Sequence, residues 1–113
     1  MTDCIFCKIV SGEIPSKKIY EDEDIIAFHD INPQAPVHFL VIPKEHIVSA
    51  MEVNAENSGI IARCFEVIAA LAKKEGLSEG FHIINNCGEK GGQTVMHLHF
   101  HVLSGRSLGE TLV

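Results

Sequence analysis

Apolar and polar positions divide this chain into several short alternating runs and one long helical run. Ile5 to Val10 is an apolar-rich stretch ended by Ser11-Gly12 and Pro15, which predicts a short helix followed by a turn. Lys18 to Tyr20 and Asp24 to His29 flank the acidic turn Glu21-Asp22-Glu23 and predict a hairpin. The segment from Ile31 to Pro36 holds Pro33 and Pro36, which cannot donate to a ladder, so it reads as a loop. His38-Phe39-Leu40-Val41-Ile42 is a strand rich in β formers, closed by Pro43. Phe81 to Asn86 and Val95 to Leu103 predict two more strands, joined by the glycine-dense loop Asn86-Cys87-Gly88-Glu89-Lys90-Gly91-Gly92-Gln93-Thr94.

Asn54 or a neighbour can cap a long helix that runs to about Glu75, with Gly76 as its stop. On a helical wheel Ile60, Ile61, Cys64, Phe65, Val67, Ile68, Leu71 and Ala72 cover an arc of roughly 200°, wider than a one-sided helix needs. A helix buried on two sides in so small a protein suggests a subunit interface, so a homodimer is expected; loops covering the extra face are the alternative. About five strands with short connections, one principal helix and a short N-terminal helix give an α+β fold on a mostly antiparallel sheet.

The chain has 113 residues, room for a single domain over 1–113, and a hydrophobic content of 46%, which excludes disorder. No stretch approaches the roughly 20 apolar residues of a membrane helix. Met1-Thr2-Asp3-Cys4 lacks the features of a signal peptide, so a cytoplasmic protein is expected. The net charge of −6 argues against binding a nucleic-acid polymer but leaves room for a single nucleotide held by backbone N–H groups. Four cysteines in a reducing compartment do not suggest a disulfide framework. Cys4 and Cys7 form a C-x-x-C pair suited to metal or redox chemistry, and Cys64 reads as a small core residue.

The densest chemistry lies in His97-Leu98-His99-Phe100-His101. With a period of two, the three imidazoles share one strand face, in a cleft or toward water, and the apolar residues share the other. Such a set can bind a metal, or one imidazole can attack an electrophile while its neighbours orient it and move protons. The adjoining loop favours attack at phosphorus. Gly88, Gly91 and Gly92 let the backbone approach a phosphate, and Gln93 and Thr94 supply donors. A nucleotide hydrolase or transferase is the function these features indicate.

The run from His97 to Leu103 resembles the motif of the histidine triad (HIT) proteins, His-φ-His-φ-His-φ-φ. Ala27 to Ile31, Pro36 to Lys44 and Gly91 to Thr94 are also similar to the Hint-like branch, so the likeness covers nearly the whole chain. The resemblance implies a homodimer that hydrolyses purine nucleoside 5′-phosphoramidates or handles the matching monophosphates. His99 would attack the α-phosphorus to form a nucleotidyl-histidine, its other nitrogen donating to the His97 carbonyl. His101 would contact phosphate and assist the leaving amine, and His38 would join their network. Asn86, Gln93 and Thr94 would hold the phosphate, Asp30 the ribose hydroxyls, and Phe6, Ile9, Phe28 and Ile31 would wall the base. Hydrocarbon walls discriminate bases weakly. Bacterial relatives with C-x-x-C imply a structural zinc on Cys4, Cys7, His46 and His97, with no cofactor needed for catalysis. Two other functions remain open, a metal-dependent hydrolase with the triad as ligands and a nucleotide-sensing interaction protein. The ending Arg106 to Val113 has no tryptophan, unlike the tail of eukaryotic relatives, which leaves leaving-group specificity undefined.

Overall fold

The computed structural model describes residues 4–105 of the chain, so the C-terminal segment from Arg106 onward lies outside the described residues. Two α-helices, α1 (Ile5–Ser11) and α2 (Ser58–Lys74), accompany five strands: β1 (Lys18–Glu21), β2 (Ile25–His29), β3 (Val37–Pro43), β4 (His82–Ile84) and β5 (Phe100–Ser104). The strands form one sheet in the order β1-β2-β3-β5-β4, with every pairing antiparallel. This is the expected α+β layout. The pattern did not reveal two one-turn 3-10 helices, Ala50–Glu52 and Glu89–Gly91.

Each face of the sheet carries its own core, because alternate residues of β2 and β3 are apolar on both sides. Ile25, Ala27, Phe39 and Val41 meet Cys64, Val67, Ile68 and Leu71 of α2. Ile26, Phe28, Leu40 and Ile42 meet Phe6 and Ile9 of α1. The hydrophobic effect acts on both faces of β3, whose residues from His38 to Pro43 are all buried. α2 ends as the sequence requires: Gly76 turns left-handed at φ 74°, and Leu77 and Gly76 donate back to the carbonyls of Ala72 and Lys73.

The helix begins later than Asn54. The Asn54 side chain instead accepts from the backbone of Glu56 and Asn57, forming a turn that delivers the chain to Ser58. Ile60 and Ile61 are half-buried, whereas Phe65 is 46% exposed, so no described loop covers that flank of α2. The hairpin turn is fixed by Asp22, whose carboxylate accepts from Tyr20, from the backbone of Asp24 and Ile25, and from Arg63 of α2. Burial opposes its ionisation, yet these donors prevail and hold its pKa at about 2.

The sheet ends beside the loop between β2 and β3 at one constrained point. Gly105 has φ 98°, and a Cβ there would lie 2.7 Å from the Cβ of Pro36. Gly105→Ala should therefore destabilise the fold by about 1–3 kcal/mol, through left-handed backbone strain and displacement of Pro36. Urea unfolding measures this, and an unchanged midpoint would show that the loop yields freely.

A candidate histidine active site and metal centre

Strand β5 starts at Phe100, not at Val95 as the alternation suggested, and the reason lies in β3. The ladder between them runs as far as Val41 opposite Phe100. Pro43 has no N–H to continue it. The Leu98 N–H donates instead to the Ile47 carbonyl at 2.6 Å, which peels residues 97–99 away from the sheet. Alternation nevertheless persists through the peeled segment. Leu98, Phe100 and Val102 enter the α2 core, and the three imidazoles take the opposite side. That side is roofed over His97, which is fully buried, and His99, which is 5% exposed, while His101 is only half-buried. The roof is Phe6 of α1, whose ring stands edge-on to His97 and His99 with centroids 5.9 and 5.1 Å away.

Burial disfavours the charged form of all four imidazoles here, pushing His38, His97 and His99 below the ordinary histidine value. His101 falls to about 4 through burial and then through its histidine neighbours, with Asp30 opposing. Each neutral ring carries one proton, and its partners determine which nitrogen holds it. The His97 Nε2–H donates to the Pro43 carbonyl at 2.8 Å, leaving Nδ1 bare. The His99 Nδ1–H donates to the His97 carbonyl at 2.8 Å, leaving Nε2 bare. The Gln34 N–H donates to His38 Nδ1 at 3.0 Å, so the His38 proton sits on Nε2. That proton is offered to His101 Nδ1 at 3.0 Å, with Asp30 Oδ2 at 3.4 Å as a second acceptor. His101 consequently carries its own proton on Nε2. A bare nitrogen on His99 thus stands beside a donor on His101, with ring centroids 5.0 Å apart.

Three supports of this arrangement were not evident in the sequence: Pro43, the Gln34 amide and Asn85. Asn85 follows β4, and its Nδ2 donates to the His99 carbonyl at 2.8 Å, replacing the backbone donor that a longer β4 would have supplied. No motif marks such a residue.

The glycine loop is built differently from a simple phosphate cradle. Gln93 is buried, with Oε1 accepting from the Gly88 N–H and Nε2 donating to the carbonyls of Val48 and Val95. The Asn86 side chain donates to the Gly91 carbonyl. Gly92 closes the loop in a left-handed conformation, and Thr94 is exposed at its end. Phe6, Ile9 and Phe28 are packed in the α1 core, whereas Ile31 is 98% exposed. A cleft of about 780 Å³ opens beside Ile31 and has Asp30 and His38 in its wall, with Lys17 and His29 also lining it.

Cys4, Cys7, His46 and His97 converge so that their ligand atoms lie within 4.8 Å of one another. Cys7 Sγ is 3.2 Å from His46 Nδ1, and Cys4 Sγ is 3.4 Å from His97 Nδ1. The set could hold a metal, and its chemistry fits one. The bare Nδ1 of His97 faces the sulfurs, while burial and the adjacent Cys4 push the Cys7 thiol up, a cost that a cation would remove. Asp30, His38 and His101 also converge within ligand distance. Here the proton inventory disagrees with the geometry: a cation on His38 Nε2 would displace its proton to Nδ1, against the Gln34 N–H. Among the described residues, no such cluster unites His97, His99 and His101.

Comparisons with known proteins identify the family of the chain. The purine nucleoside phosphoramidase of Escherichia coli K12 is 44% identical over 111 residues, covering 97% of this chain and 93% of that protein. A HIT family hydrolase from Clostridium thermocellum superimposes with a TM-score of 0.97 at 45% identity, covering 100% of this chain and 99% of the other. A histidine triad protein from Clostridium difficile gives a TM-score of 0.94 at 48% identity, covering 98% and 97%. Residues 11–108 match the HIT domain family, and the chain is a member of that family, with hydrolases among its near relatives.

Proposed function

We propose that this chain hydrolyses purine nucleoside 5′-phosphoramidates through a covalent nucleotidyl-histidine on His99. The observation that carries this reading is the bare His99 Nε2, created by the Nδ1–H bond to the His97 carbonyl and placed beside the His101 Nε2–H. The substrate class draws support from the phosphoramidase of Escherichia coli. The Nε2 lone pair attacks the α-phosphorus, and the bond from phosphorus to the leaving amine breaks. Negative charge on the bound phosphate offsets the burial that keeps His101 neutral. The His38–His101 chain can then hold an extra proton, with Asp30 as counter-charge, and pass it to the amine from His101 Nε2. Water next attacks the same phosphorus and gives a proton to the now bare His101 Nε2, the bond to His99 breaks, and the monophosphate leaves.

Asp30 lies in the cleft wall where ribose hydroxyls would reach it, and Ile31 stands at the lip to cover a base. Phe6, Ile9 and Phe28 are packed in the α1 core, outside the lining of that cleft. Thr94 and the loop backbone contact phosphate, while Gln93 and Asn86 serve that contact by shaping the loop. The metal centre is assigned to zinc, since two thiols and two imidazoles make a closed tetrahedral set. Its role is to pin α1 to His97, outside the chemical steps. About one equivalent per chain, in protein purified without added zinc, is the corresponding metal analysis. Free thiols suit a reducing cytoplasm.

The exposed flank of α2 supports a homodimer. Phe65, whose ring meets Phe100 at 5.2 Å, and Ile83 of the edge strand β4 leave apolar area uncovered. Sedimentation should show a dimer at micromolar concentration, and Phe65→Asp with Ile83→Asp should shift it to monomer. A wild-type monomer at every concentration tested would end this assignment.

His99→Gly should lower phosphoramidate turnover by about 10⁴-fold or more while nucleoside monophosphate binding stays measurable. In wild-type protein, rapid alkaline quench during turnover, which spares the acid-labile P–N bond, should capture nucleotide on His99. Retention of most activity by the variant, or label on another residue, would remove His99 as nucleophile.

The pH dependence follows from the same tautomers. Attack requires unprotonated His99, whose burial sets its pKa below the ordinary histidine value of 6.5. The kcat/KM should therefore be level through pH 7 and fall only as acid protonates His99, below 6.5. An acid limb centred above pH 7 would contradict a buried neutral nucleophile.

A further inference from the structure

We propose that Cys4 and Cys7 are also a reversible oxidation site, forming a disulfide in competition with the metal and thereby controlling the nucleophile through His97. The two sulfurs belong to one short element. Cys4 caps α1, and its Sγ accepts from the Cys7 N–H at 3.3 Å. Both thiols are free and half-buried, and their sulfurs lie within 4.8 Å of each other, whereas Cys64 is sealed in the core. Of the four ligand residues only His97 is fully buried, so a small oxidant can reach the sulfur side of the centre.

With hydrogen peroxide as oxidant the step balances. The thiolate of one cysteine attacks a peroxide oxygen, the O–O bond breaks, and the departing hydroxide takes a proton to become water. The second thiolate attacks the resulting sulfenic sulfur, the S–O bond breaks, and a second water leaves as the S–S bond forms. Two thiols lose two electrons in total, and one peroxide becomes two waters. Disulfide sulfur is no longer an anionic ligand, so a bound zinc ion departs as the hydrated cation.

The consequence reaches the active site because α1 carries Phe6 between the two cysteines. Phe6 packs edge-on to Phe28, His97 and His99. Oxidation removes the sulfur partners of His97 Nδ1 in a fully buried place, and the carbonyl of that same residue fixes the His99 tautomer. The effect on turnover rests on the hydrolase reading, but the disulfide does not.

The test uses the full chain, with Cys87→Ser as a control because Cys87 is the other half-buried thiol. Reduced protein is first measured for zinc. One portion keeps its metal and another is stripped with a chelator, and both then receive hydrogen peroxide before non-reducing peptide mapping. A Cys4–Cys7 linked peptide should appear in both portions, and zinc should leave the first in step with it. Turnover should drop roughly 10²-fold, as expected for a misplaced nucleophile, and return with dithiothreitol and zinc. Oxidation of Cys87 ahead of the pair, or conversion of Cys4 or Cys7 to sulfinic acid without a linked peptide, overturns the proposal. Absence of zinc in the starting protein would remove the metal assignment alone, since the stripped portion still decides the disulfide. Linkage and zinc release without any change in turnover would overturn the coupling through His97.

Discussion

His97 directs three groups three ways, and the rest of the site depends on that distribution. Its Nε2–H bonds to the Pro43 carbonyl at the end of β3, its Nδ1 faces two thiols on α1, and its carbonyl accepts from His99. None of these can change alone. A rotated ring would bury an unpaired donor, which costs on the order of 1–3 kcal/mol, and would release the thiols together. A shifted carbonyl would free the His99 ring to adopt the other tautomer and withdraw the bare nitrogen. One buried side chain thus joins the sheet, the N-terminal helix and the His99 ring.

The same economy explains why residues 97–99 leave the sheet. A histidine inside a continuous ladder has its backbone groups committed to neighbouring strands. Once Pro43 ends the ladder, the His97 carbonyl is free to meet His99, while Ile47 and Asn85 replace the lost strand partners. The segment keeps the side-chain alternation of a strand without its backbone pairing. Burial beneath Phe6 then favours the neutral form of His97 and His99.

Much of this was legible in the residue pattern, for definable reasons. Alternation separates His97, His99 and His101 from Leu98, Phe100 and Val102 whether or not the backbone is paired. Gly76 stops α2 because no other residue adopts its left-handed turn so readily. C-x-x-C places both sulfurs on one helical turn. What the pattern hid were contacts between distant segments. The exchange of Ile47 for a ladder partner, the Asn85 side chain under His99 and the Gln34 amide on His38 leave no periodic trace. Gln93 was readable as a polar residue near phosphate, but its inward orientation became visible only with the carbonyls of Val48 and Val95 in place.

Two groups of potential ligands lie in one small site, and protons distinguish them better than distances do. At the thiol centre the backbone acceptor is Pro43, which draws the His97 proton to Nε2 and clears Nδ1 for a cation. At Asp30, His38 and His101 the backbone partner is the Gln34 N–H, a donor, which forces the His38 proton onto the nitrogen that a cation would need. The placement of a single backbone group decides whether the nitrogen facing each histidine cluster is bare or protonated.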